Sequence, residues 1–358
     1  MDLKYGIIGC GRISRNHIAS AIKNKLEIVG LCDIDASQIE SLKNDFDVLK
    51  DVACYNDYTE MLKKEDLDLV AICTESGKHG SIAIDCINSR INLIIEKPIT
   101  LSLDEADEII RLSKENKVKV CACHQNRFNK SIQKIRSAVE KGSFGKLLHG
   151  TAHIRWNRGE NYYKQAPWRG TWEQDGGALM NQCIHNIDLL RWMMGSEIES
   201  VIGLTDNMIH DYIDAEDLGL ALIKFKNGSY GVIEGTTNVY PSNLEETLYI
   251  FGEKGTVKAG GKSVNLIEEW MIADGVETLD EIKEKYNEDP PNVYGYGHTP
   301  LYNDVVEAIR NDRDPYITAK DGRDALELVL SIYKSSSAGK QIFLPINNIS
   351  TLDFRSEK

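Results

Sequence analysis

Between residues 4 and 123 short apolar runs alternate with stretches of helical period. The runs at 4–8, 27–32, 67–73, 91–95 and 117–123 predict strands, and the helical pattern fills 14–22, 81–88 and 102–116. Such βα alternation describes a doubly wound parallel sheet whose ligands gather at the strands' carboxyl ends.

The period then changes. After a helix at 131–140 and the turn Gly142-Ser143-Phe144-Gly145, alternation predicts strands at 147–156, 198–205, 218–225, 230–238 and 246–251. Asn227-Gly228 is a two-residue hairpin signal between two of them. The expectation is a largely antiparallel sheet with one face under helices, among them 300–310 and 321–337, and one face free. The chain thus reads as α/β, with an N-terminal Rossmann domain over 1–123 and an α+β domain for substrate binding and oligomerisation over 124–358.

Trp168 to Gly195 interrupts the strands. A Gly176-Gly177 break opens an apolar-periodic run in which Asn181, His185 and Asp188 recur at helical spacing on one side. Packing alone needs only Leu179, Ile184, Leu189, Leu190 and a methionine at 193 or 194, so the polar groups are an addition to the core pattern. One imidazole and one amide do not make a metal site, and none is expected.

Composition narrows the partners. A length of 358 residues suits two cores, and a net charge of −13 argues against nucleic acid or an anionic membrane. The apolar runs are strand-sized and the N-terminus lacks a signal-peptide layout, which points to the cytoplasm. Eight scattered cysteines read as reduced, and a catalytic role for Cys183 has little to support it. A free apolar sheet face predicts a homodimer or homotetramer.

Candidate chemistry collects at the strand ends. In Gly9-Cys10-Gly11-Arg12-Ile13-Ser14, Gly9 allows a tight turn and Gly11 a close approach to a pyrophosphate, although Ser14 replaces the third glycine. Asp33 ends the next strand, where a carboxylate accepts ribose hydroxyls and repels a 2′-phosphate, indicating NAD; Arg12 keeps NADP open. Thr74-Glu75-Ser76, Glu96-Lys97-Pro98 and His124-Gln125-Asn126-Arg127 fall at later strand ends. Lys97, extended before proline, becomes a proton acceptor if desolvation and a nicotinamide cation lower its pKa; Glu96 pulls the other way. Arg155 through Trp172 carries three arginines and a lysine against one glutamate, interleaved with aromatics, which suits an anionic ligand bearing a ring.

Gly9-x-Gly11-Arg12-Ile13, Asp33, Glu96-Lys97-Pro98 and Gly176-Gly177 with His185 downstream resemble the glucose-fructose oxidoreductase, inositol dehydrogenase and rhizopine catabolism (Gfo/Idh/MocA) family over essentially the whole chain. Within it, Trp156-Asn157-Arg158 with Tyr162-Tyr163, Pro167 through Trp172, Gly176 through Gln182 and Tyr294 through His298 are similar to the UDP-N-acetylglucosaminuronate 3-dehydrogenases of surface-polysaccharide pathways. Asn181, where many relatives carry Asp, favours that subgroup; Thr74-Glu75 departs from the usual Thr-Pro.

The resemblance implies hydride transfer from sugar carbon 3 to NAD, with Lys97 and His185 catalytic. It implies cofactor contacts from Gly9, Gly11, Arg12, Ile13, Asp33, Thr74, Glu75, His79, Glu96, Lys97, Gln125, Trp168 and Arg169. Substrate contacts fall to Lys97, Arg155, Arg158, Tyr163, Asn181, His185 and Tyr296. It further implies reoxidation of NADH by 2-oxoglutarate. Rival substrates are UDP-N-acetylglucosamine and a free polyol such as inositol. A rival class is a regulatory NAD-binding protein without catalysis, against which stand Lys97 and His185.

Overall fold

The computed structural model describes residues 3–195, 197–273, 275–290 and 292–355. The chain divides into two compact units, Met1–His124 with His298–Arg323, and Gln125–Gly297 with Asp324–Lys358.

In the first unit β1 (Lys4–Ile8), β2 (Glu27–Cys32), β3 (Ala53–Tyr55), β4 (Leu69–Ile72), β5 (Asn92–Ile95) and β6 (Val120–Ala122) form one sheet in the order β3-β2-β1-β4-β5-β6. Every pairing is parallel. Helices α1 (Ser14–Lys23), α2 (Ala36–Asp45), α3 (Tyr58–Lys64), α4 (His79–Asn88) and α5 (Leu103–Asn116) connect the strands. The four residues of β4 are fully buried, because a central parallel strand has helices on both faces and reads as an unbroken apolar run. The edge strand β3 is three residues long with Cys54 exposed, so no run announces it. Strand order reverses between β1 and β4, the switch point at which such sheets bind ligands.

The helix His298–Arg310, expected over the antiparallel sheet, instead belongs to the first unit. Its buried Tyr302 hydroxyl lies 2.7 Å from His17 Nδ1 and 2.8 Å from the Tyr5 hydroxyl, and Asn24 donates to the Thr299 carbonyl at 3.1 Å. An amphipathic period shows that a helix has a face to bury; it carries no address.

The second unit holds α6 (Lys130–Glu140), β7 (Leu147–Arg155), α7 (Glu160–Tyr163), α8 (Ala178–Asn181), α9 (Ile184–Met194), β8 (Ile198–Asp206), β9 (Leu218–Phe225), β10 (Tyr230–Thr236), β11 (Glu245–Gly252), β12 (Gly255–Gly260), β13 (Leu266–Ile272) and β14 (Ile342–Phe343). The eight-stranded sheet has the order β13-β12-β11-β7-β10-β9-β8-β14, antiparallel except where β7 meets β10. The Asn227-Gly228 turn joins β9 to β10, with Gly228 at φ 86°. β12, β13 and β14 go beyond the expected strands. On one face Ile202 pairs with Leu222 and Leu204 with Leu220, and all four are exposed.

The periodic run of 178–194 is two helices, not one. Cys183 N donates to Ala178 O, five residues back, at 3.0 Å, and α9 restarts from Cys183 O, which accepts from Ile187 N at 3.1 Å. The extra residue breaks the phase, so Asn181 and His185 do not share one continuous helical face. No helix among the described residues is long and apolar enough to cross a membrane. No disulfide joins any of the eight cysteines.

Candidate active site

In the first unit the turn after β1 has the shape that a dinucleotide requires. Gly9 sits at φ 94°, and a Cβ there would lie 2.5 Å from the Cys73 carbonyl carbon. Around Gly11 the place of a Cβ is open to 4 Å, leaving backbone exposed for a phosphate before the amino end of α1. Asp33, half-buried at the end of β2, accepts from Cys10 N at 2.7 Å and Asp35 N at 2.9 Å, which orients its carboxylate at the strand end. Arg12 is exposed and Ile13 half-buried at the start of the helix. These residues fit NAD.

The ends of β4 and β5 carry Thr74, Glu75 and Lys97, all half-buried. Glu96 is 6% exposed; its carboxylate lies 2.9 Å from His17 Nε2, accepts from the Lys97 amide at 3.1 Å and has His298 Nε2 at 3.6 Å. Burial alone would raise its pKa, yet the hydrogen bond to His17 and the nearby His298 ring hold it well below the usual carboxylate range. His79, buried at the start of α4, has Nδ1 2.7 Å from the Pro98 carbonyl and Nε2 3.1 Å from that of Thr74. Burial lowers its pKa.

In the second unit the basic aromatic loop separates into neutralised and open cations. Arg155 donates to Glu234 at 2.7 and 2.5 Å and to Glu245 at 2.8 Å, and Lys164 pairs with Glu160 at 2.7 Å. Arg158 and Arg169 are held differently. Arg158 lies over Trp156 (4.6 Å) and Tyr162 (5.2 Å), Arg169 over Tyr162 (4.3 Å) and Trp168 (4.7 Å). Among the described residues no ion pair engages either guanidinium. Arg158 donates only to neutral oxygens, the Asn157 carbonyl at 2.6 Å and Asn243 Oδ1 at 3.0 Å. Glu246 is nearly fully buried, and burial pushes its carboxyl up to about 8 against the pull of Arg158. At neutral pH that carboxyl is mostly protonated, which leaves the cation uncompensated.

Tyr162 is joined to the site helices by Gln182, whose amide donates to its hydroxyl at 3.2 Å. Tyr163 turns inward, 7% exposed, with its hydroxyl 3.3 Å from Thr237 Oγ1. Asn181 donates to Asp175 Oδ1, while Asp175 Oδ2 accepts from Gly170 N at 2.7 Å. Tyr296 is exposed and donates to the Asp289 carbonyl at 3.2 Å. His185, half-buried in the first turn of α9, has Nε2 3.5 Å from Gln125 Nε2.

Three buried acids position this half, and pattern reading passed over two of them. Asp188, read as a polar addition to the core pattern beside Asn181 and His185, is fully buried against Arg127. Glu216 accepts from Leu179 N at 2.8 Å at the start of α8, and a Cβ on Gly177 would stand 1.5 Å from its other oxygen. Tyr333 donates to the same carboxyl at 2.9 Å, and burial pushes Glu216 up to about 8. Asp217 accepts from Met208 N, Ile209 N and His210 N at 2.9 to 3.1 Å. The adjacent acids Glu216-Asp217 just before an apolar strand were the available signal.

Comparison with known proteins follows this geometry. Residues 3–124 match the oxidoreductase family with NAD-binding Rossmann fold, and 132–258 the GFO/IDH/MocA C-terminal domain. The crystal structure of the WlbA dehydrogenase from Bordetella pertussis, in complex with NADH and UDP-GlcNAcA, is 34% identical, with 97% of this chain and 99% of that one covered at a TM-score of 0.90. The WlbA enzyme from Chromobacterium violaceum, with the same two ligands, is 31% identical, 97% of each chain being covered at 0.88. Myo-inositol 2-dehydrogenase of Thermotoga maritima is 24% identical across 96% of this chain and 98% of its own.

Proposed function

The chain belongs to the GFO/IDH/MocA family of NAD-dependent oxidoreductases, and on that premise we propose that it oxidises the 3-hydroxyl of a UDP-sugar, UDP-N-acetylglucosaminuronate, to the 3-keto sugar. The observation that carries this reading is the pair Arg158 and Arg169, stacked on Tyr162 and free of carboxylate partners among the described residues. Two fixed, uncompensated guanidiniums flanked by Trp156 and Trp168 suit a diphosphate or carboxylate next to a ring. A neutral polyol would leave both charges unanswered. The two WlbA complexes with NADH and UDP-GlcNAcA support the same substrate class.

NAD, when bound, supplies the hydride acceptor. The chain's own task is the proton: a carbinol carbon releases hydride more easily as its alkoxide develops, so a positioned base lowers the barrier. Lys97 and His185 are that base and its partner, and Asn181, oriented by Asp175, is a further sugar contact. Arg155, engaged by Glu234 and Glu245, serves the sheet around the site. Reoxidation of NADH by 2-oxoglutarate and a role in surface-polysaccharide synthesis belong to this reading. So does assembly as a homodimer or homotetramer through the exposed face bearing Ile202, Leu204, Leu220 and Leu222.

The test is conversion of UDP-N-acetylglucosaminuronate and UDP-N-acetylglucosamine by purified protein with NAD, with and without 2-oxoglutarate, following the nucleotide sugar by mass. Loss of two hydrogens from the uronate alone supports the proposal. Oxidation of the neutral nucleotide sugar alone moves the substrate, and turnover of inositol alone overturns the nucleotide-sugar reading.

A further inference from the structure

We propose that Lys97 is held by two positioning histidines that act through its chain neighbours, His17 through the Glu96 carboxylate and His79 through the Pro98 carbonyl. The inference deepens the proposed function and rests on Lys97 being the base there.

The first arm begins with a charge in an unfavourable place. A buried carboxylate is strongly disfavoured unless it is paired and hydrogen-bonded. Glu96 is 6% exposed directly behind the residue proposed as the base, and its oxygens engage His17 Nε2 at 2.9 Å and the Lys97 amide at 3.1 Å. His17 is itself immobilised: it is fully buried, its Nδ1 lies 2.7 Å from the Tyr302 hydroxyl, and that hydroxyl lies 2.8 Å from the Tyr5 hydroxyl. His298 packs edge-on against the His17 ring at 5.2 Å and stands 3.6 Å from Glu96. Residues from β1, α1, the end of β5 and the helix His298–Arg310 therefore converge on one carboxylate, which also accepts from the Lys97 amide. The groups facing it are His17 from α1, His298 from the later helix, Cys123 beyond β6 and Cys73 beyond β4.

The second arm grips the other neighbour. His79 Nδ1 lies 2.7 Å from the Pro98 carbonyl and Nε2 3.1 Å from that of Thr74; burial favours the neutral ring, whose one N–H donates to the nearer Pro98 carbonyl after β5. Displacement of a catalytic group by about 1 Å costs on the order of 10²-fold in rate, which is the value of gripping the lysine on both sides. The donors of His17, Glu96, Cys123 and His298 lie within 4.8 Å of one another and could also ligate a divalent metal. Both His17 nitrogens already lie within hydrogen-bond distance of Glu96 and Tyr302, which favours the positioning role.

The experiment compares Glu96→Gln, His17→Ala, His17→Gln and His79→Ala with wild type and Lys97→Ala, using the substrate that wild type turns over. Readouts are kcat, the pH profile of kcat/KM, NAD affinity by fluorescence and metal content of the protein as purified. His17→Ala and His79→Ala are expected to lower kcat by about 10²-fold. The NAD affinity of His17→Ala should stay within about threefold of wild type. His17→Gln, whose amide reaches the place of ring Nε2, should recover much of the rate. Removing the Glu96 charge weakens the hold of Lys97 on its proton, so Glu96→Gln should move the acidic limb of kcat/KM to lower pH by about one unit. An inactive Lys97→Ala beside unchanged kcat and limb in the other variants overturns the clamp and leaves the proposed function standing. An active Lys97→Ala overturns the reading beneath it. If His17→Ala does not fold, the limb in Glu96→Gln decides. One zinc per chain, whose removal reproduces the losses, replaces the clamp with a metal site.

Discussion

Arg127 and Asp188 form a bidentate ion pair at 2.7 and 2.6 Å, their side chains 1% and 0% exposed. The pair joins the short turn Gln125–Phe128 to α9, and the Arg127 guanidinium lies 4.8 Å from the centre of the Trp192 ring. Gln125 precedes the arginine by two residues and His185 precedes the aspartate by one turn, so this contact sets their 3.5 Å approach. Removing either charge takes the bidentate partner from the other in a buried site, where Asp188 retains Arg191 Nη2 at 3.7 Å. Arg127→Met or Asp188→Asn should each cost about 3–5 kcal/mol in urea unfolding, and the double variant should recover part of it. Single losses below about 1 kcal/mol would contradict the geometry.

Arg158 and Arg169 make a prediction about binding. Arg158→Ala or Arg169→Ala should raise KM for the UDP-sugar by about 10–100-fold, the value of one or two charge-assisted contacts. Arg155→Ala should leave KM near wild type and cost at most about 1 kcal/mol of stability, because its ion pairs are about one-third exposed. Steady-state kinetics on the three variants separates these roles; equal KM values throughout would remove the anion site from the reading.

Lys97→Ala and His185→Ala test the chemistry. Each should lower kcat by about 10²–10⁴-fold, the usual worth of a general base, while NAD titration still gives binding. Full turnover in both variants would sink the proposed mechanism.

Glu216 and Glu246 predict a pH dependence of stability. Burial raises both from 4.5 to about 8, so the folded protein holds their protons more tightly than the unfolded chain does. Their contribution is fully present below about pH 4.5, falls as pH rises toward about 8 and stays lost above it. The fall should be on the order of a few kcal/mol for each group. Glu216→Gln and Glu246→Gln should flatten the dependence of Tm on pH across that window; an unchanged slope in both would show that the carboxyls titrate alike folded and unfolded.

The first unit was largely legible because its information is local. Unbroken apolar runs ending in Gly9-x-Gly11, Asp33 and Glu96-Lys97-Pro98 determine strands, turns and what stands at their ends. The hairpin at Asn227-Gly228 was legible for the same reason. The edge strand Ala53–Tyr55 was not, since three residues, none of them buried, carry no apolar run.

Composition and order along the chain thus determined the α/β architecture and the cofactor turn, and supplied the residues proposed for proton transfer. Tertiary structure decided the partners. It sent Asp188 to Arg127, Arg155 to two glutamates and Tyr302 to His17, and it left Arg158 and Arg169 stacked on Tyr162. The physical reason is distance along the chain: a local pattern reports which face of an element is apolar, whereas a buried charge is satisfied by whichever group the fold brings within 3 Å, and that group is 61 residues away for Arg127 and 285 for His17.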